Sequence, residues 1–241
     1  MRVLKAEGLR KAFRKKEVVG GVDLEVHSGE VIGLLGPNGA GKTTCFYMVV
    51  GFLDPDDGRI LLDGREVTGL PMHRRASRGI GYLPQEPSVF RRMTVADNLR
   101  AILETRPLDA RAREERLRGL LEEFGLTGLA TQKAESLSGG ERRRTEIARA
   151  LVSEPAFLML DEPFAGLDPL AVEELKRMLL GLKDQGIGLL LTDHNFWEAL
   201  PLCDRASILY EGRVLESGDP ETLANSEVAR SAYLGERFRL E

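Results

Sequence analysis

Cysteine is scarce in this chain: Cys45 and Cys203 are the two in 241 residues, far apart and without CxxC spacing. That excludes a disulfide framework or a cysteine-rich zinc site, and both are read as reduced, small core residues. Aromatics make up 6%, with one tryptophan, and there are three histidines. His27 beside Ser28-Gly29 and His73 in a basic segment have no companions at metal-ligand spacing. No apolar span approaches the ~20 residues a membrane-crossing helix needs, and residues 1–10 lack the hydrophobic stretch of a signal peptide. The chain is therefore expected in the cytoplasm, touching a membrane only through partners. Excess charge of one sign is also missing: 34 Lys and Arg face 38 Asp and Glu, for a net −4. No strongly basic surface results, and nucleic acid is not an expected partner. Low-complexity tracts and internal repeats are absent.

At 42% hydrophobic, the chain suffices for one substantial core, or for one core with a small accessory lobe. Its most informative stretch is Gly36-Pro37-Asn38-Gly39-Ala40-Gly41-Lys42-Thr43, with Thr44 following. The apolar run Val31 to Leu35 is too short for a helix and ends in Gly-Pro-Asn-Gly, which reads as a buried strand entering a tight loop. A helix is expected from Lys42 to Phe52. Glycines let backbone amides converge on an anion, and the helix dipole points at the same place. Lys42 reaches the β- and γ-phosphates, and the Thr43 hydroxyl suits Mg²⁺, so a magnesium nucleotide is the expected ligand.

Around the loop, Arg2 to Leu9, Val22 to Val26 and Arg59 to Leu62 read as strands of a small antiparallel element, with Asp63-Gly64 as a hairpin turn. Ile80 to Leu83 is a further strand. From Thr94, with Asp97 as a candidate capping box, charged helical sequence runs to about Phe124, giving a helical lobe over 88–150. Phe157 to Leu160 and Ile187 to Leu191 are apolar without alternation, as suits parallel strands covered on both faces. Between them Asp168-Pro169 starts a helix that ends near Gly186. Ser207 to Tyr210 and Arg213 to Glu216 flank a hairpin at Glu211-Gly212. The β-α-β order predicts an α/β fold: a P-loop core with a mainly parallel sheet, in 1–87 and 151–241, carrying the helical lobe.

The strand Phe157 to Leu160 ends in Asp161, which places an acid beside the Mg²⁺ shell. Glu162 follows, where a second carboxylate aligns or deprotonates water for in-line attack; the plainer role is a helix cap or salt bridge. Leu137-Ser138-Gly139-Gly140-Glu141 opens a helix over Arg142 to Val152 and reads as a second anion site or as an ordinary glycine-rich cap. Gln85 lies between these motifs, and His194 follows a strand.

In this order the motifs resemble the ATP-binding cassette ATPases over essentially the whole chain. The resemblance implies ATP and Mg²⁺ as cofactors, Gln85 as the residue linking nucleotide to the helical lobe and touching the metal, and His194 on the γ-phosphate. It makes Ala165-Gly166-Leu167-Asp168 the loop facing the other subunit, and Phe13, where tyrosine is commoner, the aromatic stacked on adenine. Without it Phe13 reads as a plain core aromatic. It further implies a head-to-tail homodimer, with Ser138 to Gly140 of one subunit over the ATP held by Lys42 of the other; one P-loop and one signature per chain fit that count.

Within the family the chain is similar to the ATPases of lipopolysaccharide export, through Thr44-Cys45-Phe46-Tyr47-Met48-Val49-Val50-Gly51, Gly79 to Glu86, Phe90-Arg91-Arg92, Glu141 to Arg144 and Tyr233 to Leu240. Cys45 and Arg237 depart from the usual residues. Branched-chain amino-acid import, soluble iron-sulfur cluster assembly and a nucleotide-sensing module without turnover are the alternative functions. Phe90, Arg91 and Arg92 read either as a docking groove for a helix of an integral membrane subunit or as a buried Phe with solvated arginines. Arg74, Arg75 and Arg78 are expected to form a solvated helix face, and Trp197 to serve packing.

Overall fold

The computed structural model describes residues 1–230, so the resembling stretch Tyr233 to Leu240 lies outside the described residues. An antiparallel hairpin opens the chain, with β1 (Val3–Phe13) against β2 (Lys16–His27). Both strands outrun the sequence expectation. Their turn is Arg14-Lys15, with φ of 47° and 71°, a backbone that matches strand twist but is usually announced by Asn or Gly. After β3 (Val31–Leu35) comes α1 (Lys42–Val50), which stops before Phe52 because Gly51 turns left-handed at φ 88°. β4 (Asp57–Leu62) and β5 (Arg65–Glu66) form the expected Asp63-Gly64 hairpin, followed by α2 (Met72–Ala76) and β6 (Ile80–Leu83).

The charged helical stretch forms two helices, α3 (Val95–Leu103) and α4 (Ala110–Glu123), the second capped by Asp109. Thr94 caps α3 by accepting from the Asp97 amide at 3.0 Å, but the Asp97 carboxylate turns to Arg100 at 2.8 Å, so the capping box is half made. The complete box is at α5 (Gly139–Leu151), between Ser138 and Glu141. There follow β7 (Phe157–Asp161), α6 (Pro169–Asp184), β8 (Gly188–Asp193), the short α7 (Phe196–Ala199), β9 (Arg205–Tyr210), β10 (Arg213–Gly218), α8 (Pro220–Asn225) and α9 (Glu227–Ala229).

Two sheets result, an antiparallel one ordered β2-β1-β4-β5 and a second ordered β10-β9-β3-β8-β7-β6. The second is parallel except for β10. Its central strands β3, β7 and β8 are buried throughout and mostly apolar because alternation divides each between two cores. Val31, Leu35, Leu158, Leu160, Leu189 and Leu191 face the helical side, with Leu99, Phe124, Ile147 and Leu175. Ile32, Leu34, Phe157, Met159 and Leu190 face α1 and the antiparallel sheet, with Phe46, Met48, Leu9 and Val22. Each such buried side chain contributes about 1.5–3 kcal/mol of transfer free energy. Cys45 and Cys203 are free and buried in these cores; burial pushes the Cys45 thiol up to about 12 and raises Cys203 as well.

One surface expectation is overturned. Arg75 is fully buried, although Arg74 and Arg78 are exposed, because its head meets backbone carbonyls rather than water. Trp197, expected to serve packing, is 52% exposed.

Candidate active site

The carboxyl ends of β3, β6, β7 and β8 meet at one edge of the parallel sheet, the edge where open α/β sheets bind ligands. From β3 the chain enters the loop 36–41 and then α1. Gly41 has φ 106°, and a Cβ there would stand 2.7 Å from the Val18 carbonyl, so the loop closes on β2 only with glycine. Gly36 and Ala40 are buried behind the loop, whereas Asn38 and Gly39 are exposed. Lys42 is 5% exposed, and its Nζ donates to the Gly36 and Pro37 carbonyls at 2.8 and 3.0 Å. Burial lowers its pKa, and Glu162, 3.9 Å away, opposes that shift.

β7 delivers Asp161 and Glu162, and β8 delivers Thr192, Asp193 and His194. The Thr192 hydroxyl donates to Asp161 Oδ1 at 2.6 Å, and the Tyr82 hydroxyl reaches Oδ2 at 3.4 Å. Glu162 is buried at a φ of 43°, a left-handed backbone that a side-chain-bearing residue adopts at a cost of order 1–3 kcal/mol. Thr192 holds this turn through the Glu162 amide. The Glu162 carboxylate accepts from Gln85 Nε2 at 2.9 Å and lies 3.1 Å from His194 Nδ1. Two segments distant in sequence thus aim at one carboxylate.

Burial raises the pKa of both Asp161 and Asp193, and Glu162 adds to each shift. Asp193 Oδ1 accepts from the Asn195 amide at 2.8 Å, whereas its buried Oδ2 has no hydrogen-bond donor among the described residues. Crowded acids around one lysine leave this edge short of positive charge, which is the electrostatic condition a divalent cation satisfies. No cluster of three His, Cys, Asp or Glu suited to a metal occurs among the described residues. Thr43 and Gln85 line one cavity with Lys42, and with Asp161 they carry oxygen donors of the type Mg²⁺ prefers, a cation that takes few protein ligands and completes its shell with phosphate and water.

Val18, Asn38, Gly39, Gly41, Lys42, Thr43, Thr44, Gln85, Glu162 and His194 line one cavity of about 440 Å³. Phe13, the Ser138 to Gly140 turn and Asp168 are not among its lining residues. Phe13 ends β1 at 47% exposure with Lys11 Nζ 5.9 Å from its ring centre, so it is no core aromatic. Gly139 and Gly140 pack on the start of α6 and the turn before it: a Cβ on Gly140 would come within 3.0 Å of Ala171, and one on Gly139 within 3.3 Å of Leu167. Asp168 caps α6 through the Leu170 and Ala171 amides.

Sequence reasoning missed the braces. Arg143 and Glu146 on α5 form a buried ion pair at 3.2 Å. Arg143 donates to the Pro84 carbonyl at 2.9 Å and Glu146 accepts the Ser88 amide at 2.6 Å, so α5 grips both flanks of Gln85. Arg149 adds a hydrogen bond to the Ser88 hydroxyl and lies 5.0 Å over the Phe90 ring. The i, i+3, i+6 spacing of 143, 146 and 149 on one helix face was the available signal. Phe90 is 44% exposed, not buried, and with Met72, Tyr82, Ile102 and Arg149 lines a groove of about 320 Å³. Arg91 and Arg92 are exposed beside it.

A parallel sheet with a glycine loop, a buried lysine and two consecutive acids at its carboxyl edge defines a P-loop nucleotide-binding domain. A family model described as ABC transporter matches residues 19–165, and the chain belongs to that family. It is 54% identical to the lipopolysaccharide export system ATP-binding protein LptB of Acidithiobacillus ferridurans, over 99% of both chains. It is 52% identical to the protein of that name from Escherichia coli K12 over the full length of both. Among solved structures, MJ1267, an ATP-binding cassette of an ABC transporter, superposes with a TM-score of 0.89 at 28% identity, covering 98% of this chain and 100% of that one.

Proposed function

We propose that this chain is the ATP-hydrolysing subunit of an exporter for lipopolysaccharide-type lipid, working as a head-to-tail homodimer on the inner face of the cell membrane. Identity above one half across the full length of relatives named for lipopolysaccharide export supports the cargo. The convergence of Gln85 and His194 on Glu162 beside the phosphate loop is the observation that carries the chemistry. In this reading 1–87 and the described part of 151–241 are the core and 88–150 the helical lobe.

The loop amides and Lys42 bind the triphosphate, and Phe13 offers a ring face to adenine. Thr43, Asp161 and Gln85 would hold Mg²⁺, which would neutralise charge on the phosphate oxygens. Glu162 takes the proton of a water whose oxygen attacks the γ-phosphorus; the bond to the β-γ bridging oxygen breaks, giving ADP and phosphate. Gln85 and His194 keep the Glu162 carboxylate aimed. Ser138 to Gly140 and Asp168 close the site of the facing subunit. No helix among the described residues is long and apolar enough to cross a membrane, so membrane attachment falls to partner subunits, whose coupling helix enters the groove at Phe90, Arg91 and Arg92.

Glu162→Gln tests the whole scheme. The amide keeps the shape of the side chain but accepts no proton, so Mg-ATP still binds, turnover falls about 10²–10⁴-fold, and light scattering reads a dimer. A Glu162→Gln chain that stays monomeric with Mg-ATP refutes the dimer, and one that hydrolyses at the native rate refutes the base. The cargo is tested in vesicles carrying the native chain, its membrane subunits and lipopolysaccharide: absence of ATP-dependent lipid extraction rules the export reading out.

A further inference from the structure

Arg75 heads the largest side chains that the fold removes completely from solvent. Its charge is met by carbonyl oxygens, with Asp54 adding a Coulombic attraction. Nη1 donates to Met48 and Val49 at 2.6 and 2.7 Å, Nε to Leu70 at 2.8 Å and Nη2 to Thr68 at 2.6 Å. Met48 and Val49 belong to the last turn of α1, where helical carbonyls lack partners and a cation complements the dipole. The planar fork of a guanidinium serves both groups of carbonyls at once, which an ammonium cannot reproduce. Gly51 leaves the space: a Cβ there would stand 2.9 Å from Arg75 Nε.

The two ends of this clamp have different neighbours. Arg75 sits on α2, whose Met72 and Ala76 line the groove together with Phe90 and Tyr82. α1 begins at Lys42 and Thr43, in the phosphate cavity. A nine-residue helix is about 13 Å long and moves as a unit. One buried side chain therefore fastens the groove wall to the far end of the helix that carries the phosphate-binding lysine.

We propose that Arg75 is a positioning residue that transmits displacement between the partner groove and the phosphate loop, by locking α2 to the carboxyl end of α1. It rests on the reading of the groove as the docking face. Coupling of this kind is reciprocal, so nucleotide at Lys42 must be felt at α2 even without a partner.

That reciprocity supplies a test containing no membrane subunit. Met72, 37% exposed on α2, is replaced by cysteine and labelled with an environment-sensitive fluorophore; Cys45 and Cys203, buried with raised pKa values, stay unlabelled. Mg-ATP is titrated into this chain with Arg75 intact and with Arg75→Lys, and binding is measured separately with a fluorescent ATP analogue. With Arg75 the label responds as the site fills; with Arg75→Lys binding persists and the response is lost. A merely structural Arg75 would lower the melting temperature but leave the response of the folded variant unchanged, and that result overturns the proposal. So does a chain with Arg75 that binds Mg-ATP without any response.

Should Arg75→Lys fail to fold, hydrogen exchange on the native chain decides. Amides of 48–52 and 68–76 then change protection together on adding Mg-ATP, and unchanged protection in 68–76 overturns the proposal. Failure of the docking reading is seen elsewhere, in the affinity of Phe90→Ala for membrane subunits.

Discussion

Replacing Glu146 by alanine isolates the brace beneath the Gln85 loop. Glu146 is 3% exposed and Arg143 6%, so the substitution leaves a guanidinium buried without its paired carboxylate, and deprives the Ser88 amide of its 2.6 Å acceptor. Breaking a buried pair from one side costs about 3–5 kcal/mol. For a chain of this size each kcal/mol lowers the melting temperature by about 2–4 °C, so a drop of roughly 6–20 °C is expected in a thermal melt. Two controls fix the interpretation. Glu174→Ala breaks the exposed Arg144 pair and should cost at most about 1 kcal/mol. Arg143→Met with Glu146→Leu removes both charges, and should recover most of the stability, because apolar replacement of a whole buried pair is often neutral. A Glu146→Ala melt within ~2 °C of the native chain would refute the reasoning. So would a double variant no more stable than the single one.

Phe90→Ala removes the apolar anchor of the groove and should weaken binding to the membrane subunits by about 30-fold or more, read by surface-immobilised affinity with Mg-ATP binding as the unchanged reference. Asp193→Asn should stabilise the chain near neutral pH in melts without nucleotide. Burial raises the folded pKa of Asp193 above its ordinary 3.8, so the native state binds the proton more tightly than the unfolded chain does. Its ionised form therefore costs stability fully above the folded pKa, and the cost fades as pH falls toward 3.8. The advantage of the asparagine must shrink over that window; an advantage constant with pH would mean that the buried charge is not its source.

Legibility in the sequence followed the range of the interaction. Val31 to Leu35 and Phe157 to Leu160 announced buried parallel strands because both faces demand apolar residues. Gly36 to Thr43 announced the phosphate loop because its backbone tolerates few alternatives. The Arg14-Lys15 turn was illegible, since its positive φ values are imposed by strand pairing on residues with no preference for them. Arg75 was misjudged for a related reason. Its neighbours Arg74 and Arg78 are solvated, and no local pattern says that one arginine of three meets four carbonyls from segments outside α2. The meeting of Gln85, Glu162 and His194 was reachable by resemblance of motifs, whereas the roles of Thr192 and Tyr82 in holding Asp161 needed the strand register of β6, β7 and β8.

The sheet edge is arranged against its own stability. Asp161, Glu162 and Asp193 crowd one buried lysine, burial disfavours the charged forms of two of these acids, and Glu162 sits on a left-handed backbone. A fold selected for stability alone would replace such a cluster with apolar residues at little loss. The cost becomes useful if a ligand removes it: positive charge brought in beside a triphosphate relieves the acids, while Lys42 exchanges loop carbonyls for phosphate oxygens. Nucleotide then binds with a free-energy gain located at these residues and lost when phosphate leaves. Differential binding of that kind is what drives a shift between conformations. On the proposed coupling, the braces from α5 and the Arg75 clamp are the buried connections through which the shift reaches α5 and the groove.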